Sequence, residues 1–127
     1  MTTLSDRVDE YLLEERVVSN LLDTPIVLAN AVSATKFYSG YAKIESFVGV
    51  EPVPKIDPDT EVSNSEWAII RPLFLLYCER ETAKQLEASR NLGIELFGRA
   101  SSEVEQDIRQ AELDMPKLAF SQNVITV

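Results

Sequence analysis

The strongest constraint on the fold is a helical repeat of apolar residues in the second half of the chain. After Ser63, large apolar side chains recur at steps of three and four residues, which is the spacing of one face of an α-helix. They are Trp67, Ile70, Phe74 and Tyr77. Ser63 and Glu66 have the spacing of a capping box, which satisfies two orphan N–H groups at a helix start. The sequence therefore predicts a long helix from Ser63 to about Phe97.

Two prolines interrupt the helical pattern of this half. Proline removes a backbone hydrogen bond and clashes with the preceding turn, so we expect Pro72 to kink or locally break the long helix. Beyond Gly98, Ser102 and Glu105 repeat the capping-box spacing and predict a further, acidic helix. We expect that helix to end before Pro116.

The first half predicts two more helices. Residues 4–22 carry an amphipathic pattern with acids in the first turns. A second helix is expected from Thr24 and Pro25, since proline is tolerated at the first helical position. Residues 26–34 are apolar on nearly every side, which is typical of a helix surrounded by other helices or subunits. Their β-branched residues leave a strand as the alternative.

Residues 47–64 lose this periodicity and contain Pro52, Pro54 and Pro58. We interpret the segment as a surface loop or arm, which is long enough to be functional and to lie across a neighbouring subunit. The predicted architecture is all-α: a small helical bundle over residues 1–117 with the loop at 47–64. Residues 118–127 are predicted to form an extended C-terminal tail.

Composition excludes several classes of function. The chain has 127 residues and a net charge of −9, the wrong sign for wrapping nucleic acid or binding an anionic membrane. One cysteine permits no disulfide within the chain, which suits a reducing compartment. No signal peptide or membrane span is evident, and we expect the protein to be made and kept in the cytoplasm.

The residues needed for most catalytic sites are missing. The sequence contains no histidine, which removes the usual catalytic triads, histidine bases and most zinc sites. Its four glycines cannot build a phosphate-binding loop. Asp57, Asp59 and Glu61 alternate in the loop but lack the EF-hand pattern. We therefore expect no cofactor, no metal and no enzymatic activity, with a carboxylate-only enzyme as a remote alternative.

Several features favour binding to other proteins. Gly93 lies within the long helix, where a missing side chain lets another backbone approach, although simple tolerance of a weak helix former explains it equally well. The tail has strand-forming residues without a partner strand, so it is suited to completing another protein's sheet, and the alternative is a frayed terminus. The candidate partner-binding residues are Trp67, Tyr77, Gly93, Phe97, Phe120, Val124, Ile125 and Val127.

The second half resembles a known family. Residues 66–73 (EWAIIRPL), 76–80 (LYCER), 86–93 (LEASRNLG) and 102–108 (SEVEQDI) are similar to the head-completion, or head-to-tail connector (adaptor), proteins of tailed bacteriophages. The resemblance implies a structural virion protein of the neck, assembled in the host cytoplasm. It implies a ring of identical subunits, most often twelve, that binds the portal protein and downstream tail proteins. DNA would pass through an acidic channel without specific binding.

One rival interpretation belongs to a different class. A small acidic chain of phage or bacterial origin can act as a DNA mimic or regulator that occupies a DNA-binding protein. Such a protein needs its carboxylates on one face at phosphate-like spacing. The apolar second helix and the apolar tail argue against this alternative.

Overall fold

A computed structural model describes residues 2–15, 22–89 and 101–125. In these ranges the fold is all-α apart from one pair of short strands, as the sequence predicts. The elements are β1 (Thr2–Thr3), α1 (Leu4–Glu10), a π-helical turn (Tyr11–Glu15), α2 (Thr24–Ser39), a 3₁₀ turn (Glu45–Phe47), β2 (Glu61–Val62), α3 (Asn64–Ser89) and α4 (Ser101–Ile125).

The start of α1 is hydrogen-bonded to the end of segment 47–64, which we call the proline loop. β1 and β2 are antiparallel, with Thr2 opposite Val62. Thr3 caps α1 by accepting the N–H of Asp6 at 3.2 Å. The first two N–H groups of the helix, those of Leu4 and Ser5, donate to loop carbonyls at 2.9 Å. The loop thereby satisfies two of the four orphan donors of this helix end, and Thr3 satisfies a third.

The apolar segment 26–34 is helical, so the helix prediction is confirmed and the strand alternative is wrong. α2 begins after Asp23, with Pro25 in its first turn, and it ends at Ser39. Its inner face is fully enclosed by the rest of the chain, and Val27, Ala31 and Ala34 have no exposed surface. The other helices of the same chain therefore cover this face.

α3 and α4 form an antiparallel hairpin in which polar links accompany the apolar contact. Ser101 at the start of α4 lies beside Glu87, near the end of α3. Further along, Arg80 lies 3.5 Å from Glu105. The core of the bundle lies between these helices, α1 and α2, and its largest buried side chains include Tyr38, Phe74, Leu4, Leu22, Ile44, Ile70, Leu73, Ile108 and Met115.

The helices run through both prolines. The expected local break at Pro72 is not found, because α3 continues through it. The expectation that the last helix ends before Pro116 is wrong, because α4 continues through Pro116 to Ile125. Residues 118–125 are therefore helical, and the prediction of an extended, strand-like tail fails there. A proline inside a helix costs about 3 kcal/mol, whereas each large apolar side chain that is fully buried contributes about 1.5–3 kcal/mol. Near Pro72, the burial of Ile70, Leu73 and Phe74 together exceeds this cost, and Met115 and Ala119 are buried on either side of Pro116.

Segment 47–64 is more ordered at its base than a free arm. Phe47, Thr60 and Val62 are buried, and β2 pairs with β1 of the same chain. Residues 48–55 are all exposed, and we call them the loop tip. The segment is therefore a loop with a fixed base and a solvent-facing tip.

Candidate protein-binding site

The buried carboxylate of Glu66 fixes the position of the proline loop. One carboxylate oxygen, Oε1, accepts the N–H of Ser63 at 2.9 Å, and Ser63 Oγ accepts the N–H of Glu66 at 3.2 Å. This reciprocal pair confirms the predicted capping box. The other oxygen, Oε2, accepts the N–H of Glu45 at 2.9 Å. These bonds tie both ends of the loop to the first turn of α3. The Glu66 side chain is only 1% exposed, so the bonds are shielded from water.

A turn around Asp57 stiffens the second half of the loop. The Asp57 carboxylate accepts the N–H of Asp59 at 2.9 Å, and the Asp57 N–H donates to Thr60 Oγ1 at 2.9 Å. These bonds form an Asx-type turn that needs no ion. In the described ranges no three carboxylate or thiol groups lie close enough together to hold a metal.

The loop tip displays apolar side chains to solvent. Val48, Val50 and Val53 are 63%, 40% and 59% exposed. The three valines lie within six residues, close to Pro52 and Pro54, and Glu51 is the one charged residue among them. Exposed apolar surface of this kind usually marks a contact with another molecule.

Beside the tip lies an open groove of about 290 Å³ between the end of α2 and the loop. Apolar side chains dominate its lining, and we call it the α2 groove. It is lined by Lys36, Ser39, Ala42, Lys43, Ile44, Phe47, Val53, Pro54 and Ile56. Its charged lining residues are Lys36 and Lys43, and no carboxylate is among them. In a chain with 21 acidic residues, this groove is locally basic.

Trp67 and Tyr77 make their contacts within the chain. The Trp67 ring packs on Phe74 with centroids 5.4 Å apart, and the Arg7 guanidinium lies 5.9 Å from it. Trp67 also borders a second, smaller hollow with Arg7 and Arg71. Tyr77 is 7% exposed, and its hydroxyl donates to Glu112 at 2.9 Å. Burial and this hydrogen bond raise the pKa of Tyr77 far above its usual range.

The other predicted binding residues belong to residues 90–100 and 120–127, whose side chains are not described. Gly93, Phe97 and Val127 lie outside the described residues. Phe120, Val124 and Ile125 belong to the last turns of α4, and their side chains lie outside the described part of the chain. Trp67 and Tyr77, the two predicted binding residues whose side chains are described, do not line the α2 groove.

The loop valines and the groove were missed by sequence reasoning. The available signal was the segment 48–53, VGVEPV, in which apolar residues sit among turn-forming residues without helical period. Lys36 and Lys43 are too few to form a basic patch by sequence alone. In the folded chain both lysines line one apolar groove, and they make that groove locally basic.

The single thiol is buried in the helical core. Cys78 is 1% exposed, and the Asn30 amide lies 3.5 Å from its sulfur. Burial raises the pKa of the Cys78 thiol to about 11, opposed in part by the Asn30 hydrogen bond. The thiolate is the nucleophilic form, so we expect the Cys78 thiol to be a poor nucleophile in the folded protein.

Together the fold and the site define a small acidic helical protein with an anchored loop whose tip exposes apolar side chains. Comparisons with protein-family models, with curated proteins and with solved structures gave no match to this chain. None of the helices that the structure describes is both long enough and apolar enough to cross a membrane.

Proposed function

We propose that this protein is a non-catalytic binding protein whose loop tip docks on a partner. The observation that carries the proposal is the exposure of Val48, Val50 and Val53 on a loop whose base is fixed. Fixing the base by Glu66 lowers the conformational entropy lost on binding, because the loop is already held in place. An anchored apolar loop suits recognition by shape and apolar contact.

We infer further that the partner assembly is the neck of a tailed phage. Support comes from the resemblance of residues 66–73, 76–80, 86–93 and 102–108 to head-to-tail connector proteins. The described part of these stretches, residues 66–89 and 102–108, lies on α3 and α4. In this proposal the protein forms a ring, most often of twelve copies, that binds the portal and the downstream tail proteins. The net charge of −9, repeated around the ring, lets DNA pass without being held.

The direct test mixes the purified protein with portal rings encoded near it and inspects the complexes by negative-stain microscopy and co-sedimentation. The expected result is a layer of the protein on one end of each portal. A triple variant, V48S with V50S and V53S, is expected to lose most of this binding. The matched control is Leu113→Ser, which changes an even more exposed apolar residue (70%) away from the loop.

Failure of the wild-type protein to bind portal rings overturns the phage assignment. Equal binding by the triple variant and the control overturns the role of the loop tip. Competition with DNA for a DNA-binding protein, measured by gel shift, would instead favour the DNA-mimic alternative.

A further inference from the structure

The α2 groove and α4 have complementary surface chemistry. Lys36 and Lys43 are exposed at the groove, and neither has an ion-pair partner among the described residues. On α4, residues Asp107, Ala111, Asp114 and Leu118 follow one another at steps of four, three and four residues, so they share one helix face. We call this face the α4 stripe.

The α4 stripe combines acid with an exposed apolar side chain. Leu118 is 47% exposed, and Asp114 lies one turn before it. None of the α4 side chains that the structure describes, residues 101–119, lines the α2 groove of its own chain. The stripe and the groove are therefore separate surfaces of one molecule, with opposite charge and matching apolar character.

Net charge favours such local complementarity in self-association. Two copies that each carry a charge of −9 repel one another at long range, and a contact between surfaces of opposite sign offsets this repulsion. The α2 groove offers two cations around an apolar floor, which suits an acidic helix that presents a leucine. We propose that the α2 groove binds the α4 stripe of a second copy of this chain.

This contact is heterologous, because a different surface of each copy takes part. A repeated heterologous contact generates a closed ring or an open filament. The inference rests on the proposed ring of identical subunits and specifies which surfaces join neighbouring copies. A contact confined to one groove buries less surface than the roughly 1,200–2,000 Å² of a stable interface. The contact between two free copies is therefore weak, and a covalent cross-link is the best way to detect it.

The experiment mixes two full-length single-site variants, V53C and L118C, of which one carries a size tag, under mild oxidation. Val53 lines the groove and Leu118 lies on the stripe, and both are exposed, so neither change disturbs the core. The native Cys78 is buried with its thiol pKa raised to about 11, which keeps it out of the reaction. The expected product is a disulfide between the tagged and untagged chains.

The matched control replaces L118C by L113C. Leu113 is more exposed than Leu118 (70% against 47%), but five residues place it about 140° away around the helix. The V53C and L118C mixture is expected to give at least about fivefold more cross-chain disulfide than the V53C and L113C mixture. Adding K36E and K43E to the V53C chain is expected to lower the yield roughly fivefold, since attraction becomes repulsion at the rim.

Equal yields in the two mixtures, or no cross-chain disulfide in either, overturn this inference while leaving portal binding to be judged by its own assay. Conversely, if the specific disulfide forms but the protein does not bind portal rings, the contact between copies is supported and the phage assignment is refuted. A yield that is insensitive to the two lysine reversals also contradicts the proposed charge complementarity.

Discussion

Glu45 and Glu66 lie 21 residues apart, and the backbone N–H of Glu45 donates to the buried Glu66 carboxylate at 2.9 Å. The same carboxylate closes the capping box with Ser63. A single side chain therefore begins α3 and holds the start of the proline loop. We call this arrangement of Glu45, Ser63 and Glu66 the joint. Because the loop tip is the proposed binding surface, the stability of the joint bears on function.

Glu66→Ala is expected to be the most damaging change in the joint. It leaves two backbone donors without their acceptor, which costs about 1–3 kcal/mol for each buried group. Ser63→Ala, the matched control, removes one cap and is expected to cost about 1 kcal/mol. Urea denaturation measures both. Equal losses in the two variants would show that the bond to Glu45 adds nothing.

Tyr77→Phe tests the link between α3 and α4. Loss of the bond to Glu112 is expected to cost about 1 kcal/mol near neutral pH. Tyr41→Phe is the control, since Tyr41 is 48% exposed and its replacement is expected to change stability by less than about 0.5 kcal/mol. Thermal and urea denaturation of the two variants give the comparison, and indistinguishable variants would contradict a role for the bond.

Alkaline pH is expected to destabilise the protein through its buried tyrosines. Burial raises the pKa of Tyr38 from 10.0 to about 12, with Glu66 and Glu45 adding to the shift, and the pKa of Tyr77 is also raised. The unfolded chain loses these protons first, so their contribution to stability is complete below pH 10 and falls as pH rises from 10 toward 12. Urea denaturation at each pH measures the fall. A Tyr77→Phe variant whose stability declines as steeply as the wild type would refute the contribution of Tyr77.

Cys78 is expected to resist thiol reagents until the bundle opens. Its side chain is buried and its thiol pKa is about 11, so both access and ionisation limit the reaction. Labelling with a chromogenic disulfide at pH 8 should be slow and should accelerate with added urea. The exposed V53C variant supplies the fast reference. Comparable labelling rates at the two sites in native buffer would show that Cys78 is accessible.

Glu87→Ala tests the turn end of the hairpin. Its carboxylate accepts both the N–H and the hydroxyl of Ser101 at 2.8 Å, so it caps α4 from α3. The loss is expected to cost about 1–2 kcal/mol. Lys84→Ala, an exposed site on the same helix, should be nearly neutral. Circular dichroism melts decide between them, and a melting temperature unchanged in the Glu87 variant would rule out the cap.

Local chemistry made much of the fold predictable from sequence. The capping box at Ser63 and Glu66 and the proline in the first turn of α2 act over three or four residues, and both were found as expected. The failures concern the break expected at Pro72 and the helix end expected before Pro116. The local cost of a proline has the expected sign, but the burial of neighbours such as Leu73 and Met115, which offsets it, depends on the packing of the helices.

The candidate site was beyond the reach of sequence for the same reason. Lys36, Lys43 and Val53 come from two separate segments, and nothing in the spacing of the residues places them around one groove. Trp67 and Tyr77 were predicted to bind a partner, yet the contacts shown for them lie within the chain.

The sequence by itself determined that the chain forms helices and which carboxylate starts α3, since backbone hydrogen bonds and caps depend on near neighbours. Only the tertiary structure decided which apolar residues remain in contact with water. Burial is a property of the whole packed chain: α2 is covered by its own bundle, whereas the valines of the anchored loop tip are left exposed.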